Sequence, residues 1–397
     1  MELMLLHSSI KYLPKPTELI LNENDFHPCK PFFLKHKITP ESVTKISTKG
    51  VFETCDFLRQ TLKIIDYLLA VDGELIIEFY RASFDIGGYP LRPLNYLMNE
   101  ISICYKDRFK VFKKEHANNV DSIALKKIKK ALPENDNIGR WSFGIVSDGR
   151  KNDRVINIIK QIRAFNIPEF EIFICGPAPD ASLTKEVTIL DDNDLYFDLR
   201  IPISQKKNRI IDAAKFNNLM ILHDRISFTE NWYSKICEFG NYFDQICCSI
   251  FDEDTRTVHI NDWLSNFNDN NQFRISKVTK LKYSEWNKHI YVDGGVMVIK
   301  KHVIANNKLH PNLHWGEMED VNLSEKLYID GNLINFFGEA QLLTQTHRIS
   351  VHQQSTFWLK VLLRPITSKR NERIFNNKML NNFRNFLKSN LGDNIQK

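Results

Sequence analysis

Trp315-Gly316-Glu317-Met318-Glu319-Asp320 puts three carboxylates into four positions beside an aromatic ring. It leads straight into Val321-Asn322-Leu323-Ser324, the start of an amphipathic helical pattern. Carboxylates at a helix start keep their ionised form, because the free N–H groups and the positive end of the helix dipole favour negative charge there. An ionised carboxylate beside an apolar wall suits a general base that takes a proton from a hydroxyl. The competing reading is an acidic cap on a surface helix, so the rest of the chain has to decide.

Other polar residues sit where strands should end. Ser142–Val146 is a short apolar run closed by Ser147-Asp148-Gly149-Arg150, and a helical pattern with Val155, Ile158, Ile159 and Ile162 on one face follows. Phe170–Cys175 closes in Gly176-Pro177, and Val187–Leu190 closes in Asp191-Asp192. A helix expected over residues 206–216 precedes Leu219–Leu222, which ends in His223-Asp224-Arg225. Strand–helix alternation at this spacing predicts right-handed crossovers and a mostly parallel sheet, with ligands at the strand C-terminal ends. Adjacent Cys247 and Cys248 lie in an apolar run, as expected of a buried segment rather than a metal knuckle.

Composition sets the frame. The 397 residues exceed one ordinary core, so two domains are expected. A hydrophobic fraction of 43% and a charged fraction of 26% are those of a globular protein. No apolar run approaches the roughly 18–20 residues that span a bilayer. The first residues lack a basic stretch before an apolar one, and the seven cysteines have no framework spacing; a reduced, cytoplasmic setting is expected. The net charge of +6 is concentrated near the C-terminus, which argues for an acidic partner at one end and against nucleic acid.

Four segments, in order, resemble the GT-A glycosyltransferases, in particular the family 2 type and the β-1,4-galactosyltransferase relatives. They are "SFGIVSDGR", "KKNRIIDAAKFNNLMILHDR", "DGGVMVIKK" and "WGEMEDVNLSEKL", and the resemblance covers residues 141–355. It implies an α/β fold with a mixed, mostly parallel sheet and transfer of a sugar from a nucleotide-sugar, most simply a UDP-sugar. Donor binding would fall to Ser147, Asp148, Asp191, Lys207, Asp224, Arg225, Gly294 and Gly295. Asp224 would also hold a divalent metal, Mn2+ or Mg2+, with His347 (or His352) as a second ligand. The usual Asp-x-Asp is reduced here to one carboxylate, and Arg225 is placed to supply part of the metal's charge. Trp315 and Glu317 would bind the acceptor. Alignment on the Glu-Asp pair makes Asp320 the base and puts Glu319 on acceptor hydroxyls; alignment on Trp-Gly would make Glu319 the base.

Flanking regions are read separately. Residues 1–115 are expected to form a smaller α/β module: a helix from Phe52, a strand at Glu74–Tyr80, a helix over 92–104 and a strand at Phe109–Phe112. This order resembles the second half of a class I methyltransferase domain, without its glycine-rich cofactor loop, and implies a degenerate unit with no methyl transfer. Residues 116–140, rich in lysine, are expected to be a charged helical linker. Residues 356–397 mix aromatic, aliphatic and basic residues as amphipathic helices would. They are expected to touch an anionic bilayer, at the inner face of the plasma membrane, where a lipid-linked glycan acceptor would be found. The competing readings are a non-catalytic nucleotide-sugar or glycan binder and a methyltransferase-related bifunctional enzyme.

Overall fold

The computed structural model describes residues 18–21, 38–55, 57–80, 94–105, 107–179, 187–196, 200–258, 263–265 and 279–345. His347, His352, the Gly87-Gly88 loop and the basic tail 356–397 lie outside the described residues.

The first sheet has five strands: β1 (Glu18–Leu21), β2 (Val43–Lys49), β3 (Leu69–Tyr80), β4 (Phe109–Ala117) and β5 (Val120–Lys127), in the order β1-β2-β3-β5-β4. β1, β2 and β3 run parallel, while β5 is antiparallel to both β3 and β4. A short helix α1 (Val51–Thr54) precedes α2 (Leu58–Leu68), and α3 (Leu94–Cys104) follows β3. Leu62, Ile65 and Leu68 of α2 and Leu97 and Ile101 of α3 pack on Ile46, Leu75, Ile77 and Leu125. Burying each such side chain contributes about 1.5–3 kcal/mol before the entropy of ordering it is subtracted.

Residues 116–140 depart from the expected helical linker. There the chain forms the β4–β5 hairpin and a turn region leading to the next strand. Ile123, Leu125 and Lys127 face the core at a spacing of two, a strand period that the lysine count disguised. Asn118 and Asn119, with φ of 49° and 62°, make the two-residue turn that such a hairpin needs.

The second sheet has eight strands: β6 (Arg140–Val146), β7 (Glu169–Cys175), β8 (Thr188–Leu190), β9 (Asn218–His223), β10 (Ile226–Phe228), β11 (Gln245–Asp252), β15 (Val296–Lys300) and β16 (Ile334–Thr344). The intervening β12 (Leu264–Ser265), β13 (Thr279–Lys280) and β14 (Ile290–Tyr291) form a small third sheet. The order of the large sheet is β10-β16-β11-β15-β9-β6-β7-β8, and four of its seven pairings are parallel. That is the mixed, mostly parallel α/β architecture expected. Cys247 and Cys248 lie buried in β11.

Helices cover both faces of this sheet. On one face α4 (Asn152–Ala164) buries Val155, Ile158, Ile159 and Ile162, and α6 (Trp232–Phe239) adds Trp232 and Ile236. On the other lie α5 (Ile203–Ala213), α7 (Lys301–Ile304) and α8 (Glu319–Ile329). α5 starts and ends three residues earlier than the sequence suggests, because Pro202 stands just before its first turn and Ala214 leaves the helix. Gly144 in β6 lets α5 close on the sheet, since a Cβ there would lie 2.2 Å from Ile210 Cγ2.

Candidate functional site

The sheet order brings β6 and β9 side by side in parallel, so their C-terminal ends share one edge. Asp224 N–H donates to Val146 O at 3.2 Å, and Ser147 Oγ donates to Asp224 Oδ2 at 3.0 Å. The turn between them is set by local chemistry. Ser147 Oγ accepts from Gly149 N–H at 3.1 Å, and Gly149 has φ +78°. Asp148 accepts from Arg150 N–H at 3.0 Å and from its Nε at 2.7 Å. Burial alone would raise the Asp148 pKa, but these bonds from Arg150 outweigh it and hold the carboxyl below its ordinary value. Asp224 goes the other way. Burial and the Asp148 charge push its pKa up against the Ser147 bond and the nearby Lys151 charge.

Asp191 is exposed and closes its own turn on Asn193 (2.6 Å to Nδ2), while Arg209 donates to its carbonyl. The buried neighbour is Asp192, which pairs with Lys206 Nζ at 2.6 Å. Lys206 Nζ also donates to Ser147 O at 2.9 Å and lies 5.5 Å from the Tyr196 ring. Burial works against its charge, but Tyr196 and Asp192 outweigh that and raise its pKa. Gly176 is required beside it, with φ +138° and a Cβ position only 2.2 Å from Ser147 O.

Asp293, Gly294 and Gly295 lie between β14 and β15, next to the end of β9. His223 N–H donates to Gly295 O at 3.0 Å, which draws the Asp224 end of β9 against the glycines. Gly294 N–H in turn donates to Asp320 Oδ2 at 2.9 Å. Gly295 N–H donates to Asp293 Oδ1 at 2.6 Å, and Arg225 Nη2 is 3.6 Å from the same oxygen. Space is what these glycines supply. A Cβ on Gly294 would sit 2.8 Å from Glu319 Oε1 and 3.0 Å from Lys207 Nζ; one on Gly295 would sit 2.7 Å from Arg225 Nη2.

α8 begins with Glu319 and Asp320 in its first turn, entered through Gly316 (φ +86°) and Met318 (φ +62°). A methionine in the left-handed region costs of order 1–3 kcal/mol, so the surrounding packing must hold it. Glu319 is buried and takes Lys207 Nζ at 3.0 Å. Asp320 is half-buried, and its Oδ1 accepts the Val321 N–H at 2.9 Å. Its pKa is pushed up to about 7 by burial and by the charges of Glu319 and Asp293, with Lys207 and the Gly294 N–H opposing. Glu317 points back into its own loop, accepting from His314 N–H (2.8 Å) and lying 3.6 Å from Arg200. Burial would raise its pKa; the His314 bonds and Arg200 lower it. Trp315 N–H donates to Ile201 O at 3.0 Å, and the half-buried side chain packs on the core beside α8.

Ser147, Asp148, Asp224, Arg225, Gly294, Gly295, Glu319 and Asp320 therefore lie along one connected run of contacts, while Asp191 and Glu317 engage their own turns. Lys207 was expected at a diphosphate, but its ammonium is fully buried against Glu319. Lys206 and Lys151 are not among the residues that the sequence points to. A signal for Lys206 did exist: Ile203, Ile210 and Ile211 define the buried stripe of α5, and positions 206 and 207 fall inside it.

Asp224 and Asp148 carry like charges where β6 and β9 end, and burial followed by the Asp148 charge raises the Asp224 pKa. Among the described residues no group of three or more His, Cys, Asp and Glu side chains is arranged to hold a metal. Asp224 is therefore a single carboxylate at this strand end, not part of a preformed metal-ligand cluster among the described residues.

No family model matches the sequence, and no curated protein matches it. Among solved structures, the chain is similar to residues 1–349 of TarS from S. aureus, alone and with UDP-GlcNAc. Identity is 11% and 12% over 63% of this chain and 73% of that one, with TM-scores of 0.35 and 0.36. It is similar to GalNAc-T7 with UDP, GalNAc and Mn2+ at 14% identity over 53% of this chain and 44% of that one, TM-score 0.38. A putative type 11 methyltransferase from Sulfolobus solfataricus matches 27% of this chain and 60% of its own at 21% identity, TM-score 0.21. At scores this low, mechanism has to be derived from this chain's own side chains.

Proposed function

We propose that this chain is an inverting glycosyltransferase that moves a sugar from a nucleotide-sugar, a UDP-sugar in the simplest case, to a hydroxyl of a surface glycan. The observation that carries the reading is the His223–Gly295–Gly294–Asp320 run of contacts. It sets a strand-end carboxylate suited to the donor beside a helix-start carboxylate suited to the acceptor.

Asp320 is the base. Lys207 occupies Glu319, whereas Asp320 has no cation on it among the described residues, and burial brings its pKa near neutrality, where a general base works best. Asp320 takes the proton of the acceptor hydroxyl as its oxygen bonds to the anomeric carbon. The bond from that carbon to the diphosphate oxygen breaks, and the nucleoside diphosphate leaves with the electron pair. Arg150, Lys151 and Arg225 supply positive charge along the donor side, and Ser147 and Asp148 meet the nucleoside. A divalent ion, when bound at Asp224, offsets charge on the departing diphosphate. Trp315 offers a ring face to a sugar.

The acceptor is read as a glycan, lipid-linked at the inner face of the plasma membrane, with the basic residues of 356–397 against the bilayer. No helix among the described residues is long and apolar enough to cross a membrane. A panel of nucleotide-sugars, with and without Mn2+, assayed by thermal stabilisation tests the reading, because a ligand bound only by the folded state raises apparent stability. A shift with one UDP-sugar is expected. Absence of any shift across the panel would overturn the assignment.

A further inference from the structure

α2, in the five-stranded unit, carries a polar stripe where a buried helix face is ordinarily apolar. Arg59, Gln60, Lys63 and Tyr67 follow one another at helical spacing, and Gln60 and Tyr67 are almost wholly buried. Buried polar groups need partners, and these find theirs on the unit that carries the eight-stranded sheet. Arg59 Nη1 donates to Ile329 O at 2.5 Å, and Gln60 Nε2 donates to Tyr328 O at 2.8 Å. Tyr67 Oη donates to Asp244 Oδ1 at 2.5 Å, with Lys63 Nζ 3.2 Å from the same oxygen. Asp244 in turn accepts the Leu333 N–H at 2.8 Å.

Ile329 and Tyr328 are the last residues of α8, and Leu333 is where the chain leaves it for β16. The final carbonyls of a helix have no partner within it. Backbone N–H groups of Asp330, Asn332 and Gly331 take those of Lys326, Leu327 and Tyr328; Gln60 adds a second bond to the Tyr328 carbonyl, and Arg59 takes that of Ile329. Arg59 is itself held by Glu100 of α3, at 2.5 Å from Nε to Oε2. The contact is close: Gly331 has φ +79°, and a Cβ there would lie 2.4 Å from Arg59 Cβ.

We propose that the N-terminal five-stranded unit positions the catalytic helix: Arg59 and Gln60 cap the C-terminal end of α8 and so fix where its first turn presents Glu319 and Asp320. α8 is 11 residues long, so its two ends lie roughly 16 Å apart at about 1.5 Å per residue. A rigid helix carries a shift at one end to the other. The bond from Gly294 N–H to Asp320 Oδ2 is what such a shift stretches. Arg59 and Gln60 are positioning residues that touch no reacting atom, and this role rests on Asp320 acting as the base.

The test uses the full chain with Arg59→Met and Gln60→Leu combined. Transfer kcat, donor KM, melting temperature and amide hydrogen exchange of the peptides containing Gly294 and Asp320 are all measured. Expected are a fall in kcat of about tenfold or more, a donor KM within about twofold of the parent, and faster exchange at Gly294 and in the first turn of α8. Unchanged kcat and unchanged exchange alongside a lower melting temperature would reduce the unit to a structural support and overturn the proposal. So would a loss of kcat matched by an equal loss of donor affinity. If the double variant does not fold, Gln60→Leu alone is used, and parental exchange at Gly294 then overturns it. Exchange is read whether or not sugar is transferred, so a parent protein with no transferase activity fails the functional assignment and leaves the α2–α8 coupling to be decided.

Discussion

Both units bury opposite-sign pairs, but among the described residues only the end of the eight-stranded sheet also crowds carboxylates together. In the five-stranded unit Asp66 is fully buried and faces Arg108, Lys127 and Lys63, all of opposite sign. Burial still raises its pKa, but the charges of Arg108, Lys127 and Lys63 pull the value down. Lys127, also fully buried, is shared by Glu41 at 2.8 Å and the carbonyls of Asp66 and Leu69. At the end of the eight-stranded sheet, like charges crowd in beside the paired ones: Asp148 raises Asp224, and Glu319 and Asp293 raise Asp320, against the cations Arg150, Lys151, Lys207 and Arg225. Paired charges of opposite sign fix a fold. Carboxylates forced together store a demand for a proton or a cation, which is what a base or a donor-phosphate site requires.

The sharpest way to break this contrast is Asp320→Asn. It keeps the shape and removes the proposed base, so transfer should fall about 10²–10⁴-fold while donor binding persists. Steady-state rates beside a donor thermal-shift assay check it, and retained turnover would remove Asp320 from its role. Asp136→Ala probes a paired charge instead. Asp136 holds the fully buried Lys300 at 2.9 Å, and burial already lowers the Lys300 pKa to about 8 despite Asp136. Leaving that ammonium to the neutral Asn218 and Asn241 side chains should cost about 3–5 kcal/mol in denaturant unfolding, with kcat per folded molecule unchanged.

Gly294→Ala crowds Glu319, Lys207 and Asp320 together, and kcat should drop about tenfold with a smaller effect on stability. The gentlest test is pH. In the proposed mechanism Asp320 acts unprotonated, so kcat/KM should be full above its pKa and fall as pH drops through about 7. Lys207→Met removes a charge that lowers this pKa, so the acid limb should move to higher pH; Asp293→Asn removes one that raises it, so the limb should move lower. Two shifts in the same direction would show that like-charge crowding does not set the limb.

Much of the large sheet was legible because its signals are local. Apolar runs closed by Ser147-Asp148, Gly176-Pro177 and Asp224 mark strands and their ends, and the Val155–Ile162 spacing marks a helix. The β4–β5 hairpin was not, because its lysines mask a period-two pattern and its Asn-Asn turn lacks the more familiar glycine. The partner of Lys207 was not legible either. A lysine on a helix reads as solvated until the fold brings a carboxylate from more than a hundred residues away.

The residue types at Trp315–Asp320 determined that carboxylates would stand at a helix start, but the expectation that the helix end keeps them ionised fails at Asp320, whose pKa burial, Glu319 and Asp293 raise to about 7. Which carboxylate is better placed for the proposed base was a tertiary decision. Lys207 comes from α5, Asp293 from the loop before β15, and the Gly294 N–H from the same loop; only packing sets Lys207 on Glu319 and crowds Asp320 with negative charge. Electrostatic effects at a few ångströms depend on which distant segments meet, and sequence spacing carries no record of that meeting.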